Sequence, residues 1–317
     1  MSASELGYGN RRGTRTSVFE VEQSRARRVV SRQRWVVRFS LIVATLGRTE
    51  EIRNLLLSLA SQTEQDFEVV VVDQNSDERL APILASFAGQ LRLRHLRSDV
   101  RNLSHAKNVG LRASKGDVVG FPDDDCIYHA NTLEKVSGQF ARDSKVTFVS
   151  GPAISPSGVL GSGRWAKVSG PVTASNVWTR VIAFNFFSRR AAVLSVGGYD
   201  EELGIGGRFG SGEESDLAIR LLRNGGTGHY DFGLRVTHPN KALTRPGVDR
   251  AYHYGTGMGR VLRKHGAKPF TVLTFAIRPL GGAVLNLLRL RTLAASYYWM
   301  TLRGRMAGYF AVFPKAP

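Results

Sequence analysis

The apolar positions set a rhythm that begins at residue 36. Residues 36–44 are nearly all apolar or β-branched, as in a strand buried on both faces. Residues 50–60 place Ile52, Leu55, Leu56 and Leu59 on one helical face. Residues 67–72 predict a second strand ending at Asp73, and 81–87 a short helix. Residues 91–96 alternate Leu, Arg, Leu, Arg, His, Leu, which suits a strand with one wet face. Residues 104–114 predict a helix, closed by Gly116 as a C-terminal glycine. A fourth strand at 118–121 runs into Pro122-Asp123-Asp124-Asp125. This alternation predicts an α/β fold: a parallel sheet with helices on both faces. Ligands of such sheets bind beyond the carboxyl ends of the strands. Asp73 and Asp123 to Asp125 all fall at such ends, so they are expected to converge on one crevice.

The second half is less regular. Residues 145–150 predict a strand, and 151–175 a Gly-, Ser- and Pro-rich loop that could serve as a lid. Another strand is expected at 180–187. Residues 197–210 are dense in glycine. Residues 213–223 predict a helix with Leu217, Leu221 and Leu222 inward, stopped by Asn224-Gly225-Gly226. Residues 230–236 predict a strand leading to His238. From residue 241 the chain is basic and reads as helical, with Tyr297, Tyr298 and Trp299 interleaved.

Charge changes this picture more than overall composition does. The 317 residues carry 44 Lys+Arg against 26 Asp+Glu, a net charge of +18 that invites a nucleic-acid reading. Residues 1–38 hold nine Arg and three Glu, net +6, and residues 241–317 hold thirteen cations and one acid, Asp249, net +12. By subtraction, residues 39–240 hold 22 cations and 22 acids and are neutral. A neutral middle with basic flanks is expected of a catalytic domain with surface-binding extensions. No nucleic-acid partner is expected. The lone Cys126 excludes an intrachain disulfide.

Three adjacent carboxylates at the end of an apolar strand repel one another unless a cation sits among them. Their hard oxygens suit Mg²⁺ or Mn²⁺, and Mg²⁺ commonly takes one or two carboxylates plus substrate phosphates.

Here the sequence resembles the family 2 glycosyltransferases, which have the GT-A fold. The resemblance covers roughly residues 38–240. It rests on five segments in order: Ser40 to Arg48; Leu55 to Gln62 followed by Asp66 to Asp73; Asn102 to Gly110 with Ala113, Gly116 and Asp117; the D-x-D of Asp123 and Asp125; and Gly212-Glu213-Glu214-Ser215-Asp216-Leu217-Ala218-Ile219-Arg220. The resemblance implies an inverting, metal-dependent transfer of sugar from a nucleotide-diphosphate sugar to a hydroxyl of a glycan or lipid-linked glycan. It implies that Asp73 meets the nucleotide base, with Thr45, Arg48 and Glu50 in the same pocket. Lys107 and Asn108 would lie near the sugar or diphosphate, and Asp123 and Asp124 at the donor. Asp125, with Asp123 and His238, would hold the metal. Glu214 aligns with the general base, and Glu213 and Asp216 compete for that role. On a helix, 213 and 216 share a face while 214 points elsewhere, so a base with two supporting groups is also possible.

The sequence departs from the family pattern at Gly47-Arg48, where Asn-Arg is usual, at Asp73-Gln74, where an acidic pair is usual, and at Glu214, where Asp is common. A sugar nucleotidyltransferase is the alternative enzyme. It would want a Gly-rich basic loop after the first strand, and Thr45-Leu46-Gly47-Arg48-Thr49 is a poor version. A non-catalytic basic protein that binds nucleic acid or anionic lipid is the other alternative, and the carboxylate-bearing neutral middle argues against it. His95 and His105 read as surface or loop residues.

The expected division is a mobile basic arm at 1–35, a GT-A domain at 36–240 and a basic helical extension at 241–317. Within the domain, 36–125 would form the nucleotide-binding half and 126–240 the acceptor half. Arg278-Pro279 interrupts the apolar stretch 270–288, so in-plane or re-entrant helices are expected rather than a clean span. The cations and aromatic rings of the extension suit a membrane interface. The first 30 residues lack an apolar core run, so no secretory signal is expected. The expected location is the cytoplasm, peripheral to the inner face of the membrane. Nothing in the pattern sets the oligomeric state.

Overall fold

The computed structural model describes residues 38–312 apart from 162 and 241. The predicted arm and the first two residues of the predicted opening strand lie outside the described residues. The first half alternates β1 (Phe39–Thr45), α1 (Glu50–Ala60), β2 (Phe67–Asp73), α2 (Ala81–Ala85), β3 (Leu93–Arg97), α3 (Leu103–Ala113) and β4 (Val118–Gly120). Every residue of β1 and β2 is buried. That is why both strands read as continuous apolar runs instead of alternating. Gly116 does not cap α3 in a left-handed conformation. A Cβ there would meet the backbone of Phe39 and lie 2.8 Å from the carbonyl oxygen of Arg38, so close packing on β1 requires glycine.

The chain continues through β5 (Ile127–Tyr128), α4 (Thr132–Arg142), β6 (Val146–Ser150), β7 (Ala153–Ile154), β8 (Gly170–Val172), β9 (Phe186–Arg189), α5 (Arg190–Ser195), α6 (Glu213–Arg223), β10 (Thr227–Tyr230) and β11 (Val236–Thr237). The sheet order is β3-β2-β1-β4-β9-β6-β10-β8, with β5, β11 and β7 forming a small second sheet. The large sheet is mixed, which corrects the all-parallel expectation. β9 runs antiparallel to both β4 and β6, and β8 is an antiparallel edge. The predicted strand at 180–187 is mostly a 3-10 turn at Ala183–Asn185 leading into β9. The predicted strand at 230–236 is two strands, because the chain turns at residues 231–235. Helix α4 had a legible signal in Leu133, Val136 and Phe140, which are all buried.

Three long helices follow: α7 (Arg245–Lys264), α8 (Pro269–Leu288) and α9 (Thr292–Phe310). Glycines let α7 and α9 approach backbone to backbone. A Cβ on Gly255 would stand 2.7 Å from the Thr301 carbonyl oxygen, and one on Gly308 would strike that of Thr256. Gly257 of α7 packs against the backbone of Ser211, just before α6. Helix α7 therefore sits directly on the segment that carries Glu213 and Glu214.

Candidate active site

The small sheet explains how distant residues meet. Strands β5 and β11 pair antiparallel, with Ile127 opposite Thr237. Asp125 precedes that pair and His238 follows it, so the register brings them together. His238 Nε2 lies 3.0 Å from Asp125 Oδ1 and 3.8 Å from Asp123 Oδ2. The His238 ring stacks on Phe184, with centroids 4.5 Å apart. Its Nδ1 lies 2.9 Å from the Pro239 carbonyl oxygen. A proton on Nδ1 satisfies that carbonyl and aims Nε2 at the carboxylates, where its own proton is donated to Asp125; a cation bound there would take the place of that proton.

Arg48, just beyond β1, bridges two of the aspartates. Its Nη1 lies 3.1 Å from Asp124 Oδ1 and 2.6 Å from Asp125 Oδ2. Thr45 Oγ1 donates to Asp124 Oδ2 at 2.7 Å. Burial pushes Asp124 up to about 6, although Arg48 and the Thr45 hydrogen bond pull the other way. Burial also works against ionised Asp125, but His238 and Arg48 outweigh it and hold that carboxyl well below the usual range. Ligand atoms of Asp123, Asp125 and His238 all lie within 4.8 Å of one another. Two carboxylates and an imidazole oriented by its Nδ1 hydrogen bond fit a divalent cation.

The second cluster lies at the start of α6. Gly212 adopts a left-handed conformation (φ 85°) and turns the chain into the helix. Glu213, Glu214 and Asp216 occupy the first turn, where the helix dipole favours carboxylates. They separate by face. Glu213 is buried and its Oε1 lies 3.1 Å from Lys107 Nζ. Asp216 points away, to Arg220 at 2.7 Å, Lys264 at 2.7 Å and His265 at 2.8 Å. Glu214 shares the wall of one cavity with Asp123, Asp125 and His238. Burial, and then the charge of Glu213, push the Glu214 carboxyl up to about 8.

This cavity holds about 690 Å³. It lies beyond the carboxyl ends of β1 and β4, where the strand pattern placed a crevice. Of the residues singled out from the sequence, Arg48, Asp123, Asp124, Asp125, Glu213, Glu214 and His238 line it. The others lie outside its lining. Asp73 is fully buried and engages Asn75, His95 and Arg97. His95 is exposed on β3, as read, and its Nε2 also lies 3.0 Å from the Asp73 carboxylate. Thr45 supports Asp124 from behind. Lys107 is buried under Glu213, and Asn108 bonds to the Tyr199 carbonyl and to Glu201. Glu50 is exposed at the start of α1, 3.7 Å from Arg53. The sequence reading missed Arg250 and Tyr254 of α7 and Tyr297 and Tyr298 of α9, which complete the lining. Their signal was present as polar and aromatic residues in a basic tail, but nothing local ties a tail helix to a strand end.

Comparison with known proteins agrees with this geometry. Residues 40–192 match the family described as glycosyl transferase family 2. Residues 40–192, just under half of the chain, thus form a segment similar to that family. The family 2 segment includes Asp123 to Asp125, whereas Glu214 and His238 lie beyond it. An uncharacterized glycosyltransferase of Haemophilus influenzae is 34% identical over 115 residues, 36% of this chain and 38% of that protein. The chain thus spans well under two thirds of that relative's length. A mannosyltransferase from Pyrobaculum calidifontis, solved with GDP-Man and Mn²⁺, superposes with a TM-score of 0.61 at 17% identity, covering 85% of this chain and 87% of the other. Staphylococcus aureus TarS 1–349, solved with UDP-GlcNAc, gives 0.55 at 16% identity over 86% and 93%. The fold of the chain is accordingly GT-A, with a helical C-terminal region.

Proposed function

We propose that the chain transfers a sugar from a nucleotide-diphosphate sugar to a hydroxyl of a glycan or lipid-linked acceptor, with inversion at the anomeric carbon. The observation that carries this reading is the shared cavity: Glu214 lines it together with the Asp123, Asp125 and His238 cluster. The acceptor oxygen attacks the anomeric carbon and its proton passes to the Glu214 carboxylate. The bond from that carbon to the diphosphate oxygen breaks, and the nucleoside diphosphate leaves with the electron pair. A single displacement inverts the centre. A positioned carboxylate base contributes about 10²–10⁴-fold. Asp123, Asp125 and His238 would hold Mg²⁺ or Mn²⁺, which when bound neutralises diphosphate charge as a Lewis acid. Arg48 would face the donor, and Asp124 would orient Arg48. Asp73, at the end of β2, would stand towards the nucleotide base.

The work would take place in the cytoplasm at the inner face of the membrane, with the C-terminal helices in peripheral contact. Mn²⁺ in one structural neighbour and nucleotide sugars in two support the metal and the donor class. The test is thermal shift with GDP-mannose, UDP-GlcNAc and related donors, each with and without Mn²⁺. Metal-dependent stabilisation by at least one donor supports the reading, and no response to any donor contradicts it.

A further inference from the structure

Helix α8 is a 20-residue helix with a mean hydropathy of 1.5, yet its side chains are largely exposed. Phe270, Leu273, Ile277, Leu280, Val284 and Leu287 recur every three or four residues along it, and all are exposed, Phe270 at 79%. Only Pro279 and Ala283 of the helix are buried. A soluble monomer rarely leaves so continuous an apolar band in water.

The charge around this band is of one sign. Residues 250–312 contain no Asp or Glu. Lys268 precedes α8, Arg278 lies within it (the helix runs unbroken through Arg278-Pro279), Arg289 and Arg291 follow it, and Arg303 lies on α9, all of them exposed. Tyr297, Tyr298 and Trp299 are consecutive on α9 and each is at least 38% exposed. Apolar side chains flanked by cations and amphipathic rings match an anionic bilayer, with hydrocarbon below and headgroups around.

The same two helices wall the cavity that holds Glu214. Asn286 of α8 and Ala294, Tyr297 and Tyr298 of α9 line it. Asn286 and Ala294 also border a neighbouring depression that runs to Leu290, which is 87% exposed. The cavity that holds the carboxylates thus adjoins a depression at the carboxyl end of α8.

We infer that α8 and α9 lie in the plane of an anionic membrane surface and that the acceptor is a membrane amphiphile. Its hydroxyl head reaches the Glu214 cavity while its hydrocarbon stays against the two helices. This inference rests on the proposed sugar transfer and chooses between its two acceptor classes.

The first measurement is flotation of the full chain with phosphatidylcholine vesicles, with and without phosphatidylglycerol. The chain floats with the anionic vesicles, and the double variant L273E/I277E partitions roughly tenfold less or weaker still. Neither residue lines the cavity, so that variant keeps its thermal response to donor and Mn²⁺. That response tests the transfer reading separately and confirms that the variant folds. The second measurement uses donor-loaded protein and alkyl glycosides of one sugar, from methyl to long-chain, below their micelle concentrations. Stabilisation that grows with chain length supports an amphiphilic acceptor. Three results overturn the inference: a chain that stays in the aqueous fraction, a response that ignores chain length, or a lipid-free dimer that L273E/I277E dissociates, which would make a second copy the cover of this band.

Discussion

Lys107 Nζ stands 3.1 Å from Glu213 Oε1, with the two side chains only 1% and 7% exposed. The pair joins α3 to the first turn of α6, directly beside Glu214. Burial alone would strip the Lys107 proton, but Glu213 and then Asp123 hold its pKa above the usual lysine value. Removing one partner strands the other charge in the interior. Lys107→Met is expected to cost about 3–5 kcal/mol of unfolding free energy, and the double variant K107M/E213Q to recover most of it. Urea denaturation of wild type and these two variants checks this. A Lys107→Met protein as stable as wild type would show that the pair is loose and hydrated.

The proposed role of Glu214 as base predicts a pH dependence of transfer. A base must be ionised to accept a proton, and burial and Glu213 raise this carboxyl to about 8. The free-enzyme rate, kcat/KM, is therefore expected to rise with pH and level off above about 8. Glu213→Gln removes a negative neighbour, so the rising limb should move to lower pH. Stability runs the other way. The folded state favours protonated Glu214, so its contribution is complete below the unfolded value near 4.5 and is lost as pH rises through about 8. Glu214→Gln removes that part of the decline, and thermal melts between these pH values would reveal it.

Asp125 and Asp124 should separate on mutation, although they are adjacent. Asp125 lies with Asp123 and His238 in the candidate metal cluster, whereas Asp124 is tied to Thr45 and Arg48. Asp125→Asn is expected to abolish the Mn²⁺ dependence of donor binding. Asp124→Asn should keep that dependence while weakening donor affinity through a displaced Arg48. Calorimetric titration of a nucleotide sugar with and without Mn²⁺ distinguishes the two. Equal behaviour would remove the basis for assigning them different roles.

Asp216 illustrates where the sequence was legible and where it was not. The helix, its boundaries and the three competing carboxylates could all be read from residues 213–223. Their division of labour could not, because Asp216 faces Lys264 at the end of α7 and His265 just beyond it, about fifty residues away in the chain. The buried strands β1 and β2 were legible because burial on both faces leaves the apolar runs Leu41 to Ala44 and Val69 to Val72. The direction of β9 was not, since Phe186-Phe187 packs equally well whichever way the strand runs. The meeting of Asp125 and His238 depends on two-residue strands too short to imprint a period.

Replacing Asp216 should therefore affect folding before chemistry. It is fully buried and holds three basic groups on two helices. Its ionised form is strongly favoured because His265, Arg220 and Lys264 outweigh the cost of burial. Asp216→Asn is expected to lose about 3–5 kcal/mol of stability. Glu214→Gln should match wild type below about pH 4.5 and be the more stable protein at neutral pH, because it lacks the ionisation of the unfolded side chain that destabilises wild type there. Parallel denaturation curves check the contrast.

The most direct test of the central assignment pairs donor binding with transfer in Glu214→Gln. Metal-dependent affinity for the nucleotide sugar is expected to stay at the wild-type value while transfer falls by about 10²-fold or more. Wild-type transfer by Glu214→Gln, with donor bound equally well, would contradict the account and return the base to Glu213 or to a residue outside α6.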